Sequence, residues 1–225
     1  MEGNIQSHGE ISLSHFGVLF LDELPEFNRN TLEVLRGPLE DGEITISRAT
    51  QALTFPCKFM LVASMNPCPC GFYGSERECK CTDESIKRYL GKISGPLLDR
   101  IDIQVEVGPV EYQDLDSDEK EESSEKIRER VNNARKIQKE RYKNYGIFSN
   151  AELTPNLIDE FCQLDNEGKK ILEKAFERLK LSARAYGRIL KVSRTIADLD
   201  GSEKVFVKHL LEAIQYRKLD KKYGV

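Results

Sequence analysis

The stretch GVLFLDELPEF, Gly17–Phe27, decides how the rest of the chain is read. Val18–Leu21 is an unbroken apolar run, as in a strand buried within a parallel sheet. It ends in Asp22-Glu23. A carboxylate at the C-terminal end of such a strand stands at the ligand edge of an open α/β sheet. There Asp22 can hold Mg2+, directly or through water, while Glu23 polarises an attacking water. A strand that merely ends in a charged turn has the same residues, so the pair alone leaves both readings open.

Working outward, Asn28 is placed to cap a helix through Leu32 and Leu35, which Gly37-Pro38 disturbs. Glu43–Ser47 and Ala52–Phe55 alternate apolar and polar residues around Arg48-Ala49-Thr50-Gln51, which predicts a β-hairpin with a polar tip. Phe59–Ser64 is a second buried strand, running into Met65-Asn66-Pro67. Thr82 opens a helix over Asp83–Leu90, and Gly95-Pro96 starts a short one carrying Leu97 and Leu98. Arg100 follows, just before an alternating stretch, Ile101–Val107, that reads as a strand. From there an arginine can reach out of its own subunit to a neighbour's phosphate, though a surface arginine has the same composition.

Asp114–Glu122 holds six acids and one lysine among nine residues, a solvated linker by composition. Helical spacing follows: Ile127, Val131, Ala134 and Ile137, then Asn156–Cys162, Gly168–Leu179, Ala183–Leu199 and Val205–Arg217. Pro155 sits near the start of the second of these helices, and Ser182 and Ser202 are candidate caps for the last two. The domains expected are therefore 1–110, an acidic linker 111–124 and a helical part 125–225.

Hydrophobic residues make up 39% and charged residues 32% of the 225, enough for a core. No run of 18 apolar residues exists, so no membrane helix is expected. The first ten residues lack the apolar segment of a secretory signal, and a cytoplasmic location is expected. A net charge of −4 confines any nucleic-acid contact to local patches.

Four of the six cysteines lie together as C-x-C-x8-C-x-C: Cys68, Cys70, Cys79 and Cys81. Four thiolates suit tetrahedral Zn2+, with Gly71 and Gly74 letting the chain fold back; a flexible loop of free thiols is the alternative. Cys57 and Cys162 read as small buried hydrophobes. Between Lys169 and Arg194 stand nine basic residues and two acids. Arg184, Arg188 and Lys191 share one helix face, beside an apolar stripe of Ala185, Ile189, Val192 and Ile196. His8, His15 and His209 show no metal-ligand spacing and suggest surface or turn roles.

Five strings carry a family resemblance: GEISLSHFGVLFLDELPEF, EVLRGPLEDGEITISRA, FMLVASMNPCPCG, YLGKISGPLLDRIDI and LSARAYGRILKVSRTIADLDG. They resemble the bacterial magnesium-chelatase-like AAA+ ATPases of the ComM/YifB type, from Gly9 to about Tyr216. The resemblance implies an α/β P-loop NTPase core, its parallel sheet carrying a β-hairpin insertion, followed by an all-α lid. It implies that Asp22 and Glu23 are the Walker B pair, that Asn66 is the polar residue called sensor 1, and that Arg100 is the arginine finger. Arg184 matches the sensor 2 arginine of the lid; Arg188 and Arg194 stay open between nucleotide, neighbouring subunit and surface. The hairpin at Arg48 matches the pre-sensor-1 insertion, which in relatives such as the MCM helicases projects into a central pore and grips DNA. ATP, Mg2+, DNA and a hexameric ring of identical subunits are the cofactors and partners so implied. The ATPase subunit of a metal-inserting chelatase and a non-enzymatic interaction module are the alternatives.

One departure stands out. A phosphate-binding loop needs G-x-x-x-x-G-K-[ST], and this chain has none: Gly91-Lys92 is followed by Ile and Gly168-Lys169 by Lys. In the family that loop lies upstream, so the chain is expected to be a piece covering the second half of the core plus the lid.

Overall fold

The computed structural model describes residues 9–48, 51–108 and 122–217. They fall into two compact units that divide between Ile101 and Asp102.

In the first unit, helix α1 (Glu10–Leu13) leads to strand β1 (Val18–Leu21). Helices α2 (Arg29–Val34) and α3 (Arg36–Asp41) break at Leu35. The Asn28 side chain caps α2, accepting from the Thr31 N–H at 2.8 Å. Strands β2 (Glu43–Arg48) and β3 (Gln51–Pro56) form the expected antiparallel hairpin, with Ile44 opposite Phe55 and Ile46 opposite Leu53. Ala49, Thr50 and the Arg48 side chain at its tip lie outside the described residues. Strand β4 (Met60–Ala63) pairs parallel with β1, Leu21 beside Ala63. Helices α4 (Asp83–Leu90) and α5 (Gly95–Leu98) follow, capped by Thr82 and Ser94.

The core of this unit gathers Leu19, Leu24, Leu32, Leu35, Ile93, Leu97 and Leu98. It covers one face of the β1–β4 pair. On the other face Val18 and Phe20 are each 58% exposed, Met60 64% and Val62 41%. The apolar run Val18–Leu21 thus alternates in burial instead of being covered on both sides. An apolar face of this kind favours association. The 225-residue chain is therefore expected to self-associate, its light-scattering mass rising with concentration; a sharp monomer at every concentration would contradict this.

The expected strand Ile101–Val107 is not one: among the described residues nothing pairs with it in a ladder. A strand needs such a partner for its backbone groups. Instead the Gln104 N–H donates to the Tyr216 carbonyl at 3.0 Å, and Asp102 pairs with Arg188.

The second unit is helical: α6 (Ser124–Arg141), α7 (Pro155–Phe161), α8 (Asn166–Leu179), α9 (Ala183–Leu199) and α10 (Val207–Gln215). Pro155 takes the first helical position of α7, where its missing N–H is no loss. Ser182 caps α9, accepting from the Ala185 N–H at 3.2 Å. Ser202 does not cap α10. That role passes to His209, whose Nδ1 accepts from the Phe206 N–H at 3.0 Å, and His209 is buried rather than at the surface. Leu172, Ala185, Ile189, Leu210 and Ala213 lie at the centre of the core, with Val192 and Ile196 packed at its margin. Cys57 and Cys162 are both buried, as expected of small hydrophobes.

A polar network crosses this apolar core. Asp198, with no side-chain exposure, accepts from Arg141 (Nη1 to Oδ2 2.9 Å, Nη2 to Oδ1 2.5 Å), from Arg194 Nε at 3.2 Å and from Asn150 Nδ2 at 2.8 Å. Asn150 Oδ1 in turn accepts from the Tyr142 hydroxyl at 2.6 Å. Arg194 also donates to the Glu203 and Ser202 carbonyls, at 2.8 and 2.5 Å. Only 2% of its side chain is exposed, which removes Arg194 from the surface.

Candidate functional site

The parallel register sets Ala63 beside Leu21, and with it Ser64 beside Asp22. The Ser64 N–H donates to the Leu21 carbonyl at 3.0 Å, and the Leu24 N–H to the Ser64 carbonyl at 2.9 Å. Asp22 Oδ1 accepts from the Ser64 hydroxyl and, at 3.0 Å, from the Glu23 N–H. One carboxylate oxygen is thereby occupied. The other has no hydrogen-bond donor among the described residues. An exposed hard oxygen of this kind suits Mg2+ held partly by water and phosphate. Ser64 was missed in the sequence, where the only signal is a polar residue closing an apolar strand.

Glu23 adopts the left-handed region, φ 50°, which is unfavourable for a residue with a Cβ. Its N–H is held between Asp22 Oδ1 and the Ser64 hydroxyl, the latter at 3.4 Å. Leu24 and Pro25, both buried in a 3-10 turn, anchor the chain on its far side. The Glu23 carboxylate remains exposed and accepts no hydrogen bond among the described residues.

Asn66 lies two residues past Ser64, and its side chain is exposed. Its backbone N–H faces the hydroxyl of Tyr89 on α4. Burial pushes the Tyr89 phenol above its ordinary value, Glu26 adding to the effect while the Asn66 N–H opposes it. At Gly71, φ 81°, a Cβ would come within 4.0 Å of Asn66 Oδ1. Glycine there lets the following loop return close to that side chain.

Arg100 does not stand free. Its Nε donates to the Arg36 carbonyl at 3.1 Å, its Nη1 to the Pro96 carbonyl at 2.7 Å, and its Nη2 pairs with Glu40. Only 7% of its side chain is exposed. Arg184, in the first turn of α9, is exposed. Arg188 pairs with Asp102, and Lys191 donates to the Ala151 carbonyl at 2.9 Å. Burial, with Arg188 close by, holds the Lys191 ammonium below the usual lysine range. Two members of the basic stripe thus make contacts within their own unit.

The four cysteines converge. Sγ of Cys68, Cys70, Cys79 and Cys81 all lie within 4.8 Å of one another. Cys68 stands 3.4 Å from Cys70 and 3.7 Å from Cys79, and Cys70 stands 3.6 Å from Cys79. The Phe72 N–H draws the Cys70 thiol down to about 6. The Cys81 N–H pulls Cys79 the same way, but burial and the neighbouring sulfurs outweigh it and push that thiol up to about 12. The cluster accepts one negative charge readily and resists the next. A bound cation reverses that resistance, because it favours thiolates. The donor set, four sulfurs in tetrahedral reach, fits Zn2+.

Among the described residues, no helix is long and apolar enough to cross a membrane. Residues 2–115 match the family model for magnesium chelatase, subunit ChlI, and residues 121–217 match that for the C-terminal part of the same subunit. The competence protein ComM of Haemophilus influenzae is 48% identical over 216 residues, 96% of this chain and 42% of its own length. The uncharacterised protein YifB of Escherichia coli is 45% identical over 221 residues, 97% of this chain and 42% of its own. The uncharacterised protein Rv2897c of Mycobacterium tuberculosis is 36% identical over 209 residues, 93% of this chain and 41% of its own. The chain thus spans about two fifths of the length of these relatives.

Proposed function

Because this chain belongs to the magnesium chelatase ChlI family, we propose that it is part of an ATP-dependent AAA+ motor that acts on DNA. The observation that carries the nucleotide half is the pair of strand ends. They place Asp22 with one oxygen fixed and one available, beside a Glu23 whose carboxylate is unengaged. Asp22 holds Mg2+ and Glu23 accepts the proton of the attacking water. Asn66 orients that water. Bound Mg2+ supplies charge neutralisation on the phosphates. Arg184 serves as the phosphate sensor of a helical lid. Arg100 serves a neighbouring subunit in a hexameric ring, once its contacts to Arg36, Pro96 and Glu40 are exchanged. ATP and Mg2+ are the cofactors of this reading. The cysteine cluster, with soft sulfur in place of hard oxygen, serves a separate ion, zinc.

DNA is the substrate because the β2–β3 hairpin carries a basic residue next to its tip, and because a relative 48% identical is named a competence protein. This reading puts the protein in the cytoplasm, with the DNA. In a protein of the relatives' full length that contains this chain, Arg48→Ala is expected to weaken DNA binding and to lower the salt slope of log K by about one. An unchanged slope would remove Arg48 from the interface. The family's own description favours a second reading, the ATPase of a metal-inserting chelatase. Turnover stimulated by DNA supports the first reading, and turnover stimulated by a tetrapyrrole-binding partner the second.

The 225 residues contain no G-x-x-x-x-G-K-[ST], and backbone N–H groups with a lysine supply most phosphate contacts in such sites. The chain alone is therefore expected to show no ATPase activity above background, as a non-enzymatic piece would. Saturable, Mg-dependent turnover by the purified chain would contradict this.

A further inference from the structure

The cysteine cluster has a place in the fold that suggests what its ion does. The loop 67–82 leaves the end of β4 and returns to the start of α4. Cys68 and Cys70 stand at its exit, Cys79 and Cys81 at its return. The sulfurs are too far apart for disulfides, which need about 2.05 Å. They stand instead near the spacing of about 3.8 Å that a tetrahedral ion imposes at a Zn–S distance of about 2.3 Å. Backbone groups also face the sulfurs. Cys68 accepts from the Tyr73 N–H at 3.4 Å, and the backbones of Phe72, Cys81 and Cys70 lie close to Cys70, Cys79 and Cys81, respectively. Four thiolates around a divalent ion carry two excess negative charges, and backbone N–H groups close to the sulfurs help to stabilise them.

The ring closes through Asn66. Only Pro67 separates it from Cys68, about 7 Å of chain at most. At the other end Cys81 adjoins Thr82, the cap of α4, whose oxygen accepts from the Ser85 N–H at 3.2 Å. Two turns along, Tyr89 reaches back to the Asn66 N–H. We propose that Cys68, Cys70, Cys79 and Cys81 bind one Zn2+ in a closed tetrathiolate site, and that this ion braces the strand end carrying Asn66 against α4. The metal is then a structural clamp behind the nucleotide centre, with no ligand position left for substrate. The value of the brace to catalysis rests on the ATPase reading of Asn66; the clamp itself does not.

The test uses the chain as it is. Purified without chelator, it should hold about one zinc per chain, with all four loop thiols slow to react in the native state. Cys57 and Cys162, both buried, serve as internal controls. Cobalt added to the metal-free chain should give the visible absorption of a tetrahedral thiolate site. Removing the metal under reducing conditions should speed hydrogen exchange at the amides of Asn66, Phe72, Tyr73 and Cys81 by about tenfold or more. Amides of 183–199 should stay unchanged. Tyr89→Phe should keep the zinc and speed exchange at Asn66 alone. Four freely titrating loop thiols in the native chain, with no cobalt absorption, overturn the site. Unchanged Asn66 exchange after metal removal, or in Tyr89→Phe, overturns the brace. None of these readouts involves ATP, so they fail or hold apart from the proposed motor activity.

Discussion

Asp198→Ala is expected to destabilise the helical unit by about 3–5 kcal/mol, which for a unit of this size lowers the melting midpoint by roughly 10 °C or more. Asp198 is fully buried and holds two guanidinium groups, those of Arg141 and Arg194. Alanine leaves both without their counter-charge. Arg194, 2% exposed, can recover little from water, and its remaining bonds to the Ser202 and Glu203 carbonyls are neutral acceptors. Asn150 also loses an acceptor. Asp198→Asn keeps the shape but not the charge, and should recover only part of the loss. Arg194→Met should be milder than Asp198→Ala, since the Arg141 fork still satisfies the carboxylate. Thermal unfolding followed by circular dichroism measures all three. A loss below about 1 kcal/mol for Asp198→Ala would match an exposed pair and would mean that water reaches the network.

What could be read from the sequence was local or periodic. Asn28, Thr82 and Ser182 cap helices as expected, because a cap is written within four residues of chain. The hairpin register followed from the alternation of Ile44 and Ile46 against Leu53 and Phe55. What escaped depends on residues far apart in the chain. Ser64 meets Asp22 across a parallel ladder, 42 residues away. The stretch 101–107 has strand-like alternation, but alternation supplies no ladder partner. The nine basic residues between Lys169 and Arg194 look alike in composition, yet Arg194 is buried and Arg184 is exposed. The difference lies in Asp198, one turn along α9, and in which face of that helix the core covers. The cysteine spacing indicated a metal, but not the Tyr73 N–H on Cys68 or the return of Tyr89 toward Asn66, since both arise from the loop's path.

In a protein of the relatives' full length that contains this chain, Glu23→Gln is expected to lower ATP turnover by about 10²–10⁴-fold while leaving nucleotide binding in place. Glutamine has the size and shape of glutamate. It keeps the left-handed backbone at position 23 and the anchoring turn of Leu24 and Pro25. What it loses is the charge that accepts a proton from water. Asp22 is poorly placed to take over that role. One of its oxygens is already engaged by Ser64 and the Glu23 N–H, and the other is the one available to the ion. Asp22→Asn should therefore fail differently, by raising the Mg2+ concentration needed for half-maximal turnover. Ser64→Ala should show a weaker form of the same shift, because it removes one of the two donors that orient the carboxylate. Glu23→Gln should not move the melting midpoint, since the side chain is exposed and makes no hydrogen bond among the described residues. Steady-state turnover, nucleotide affinity and thermal unfolding on the one variant separate these effects. Turnover within about twofold of the parent would exclude Glu23 as the base, and the unengaged carboxylate at the end of β1 would then be no more than a charged bend.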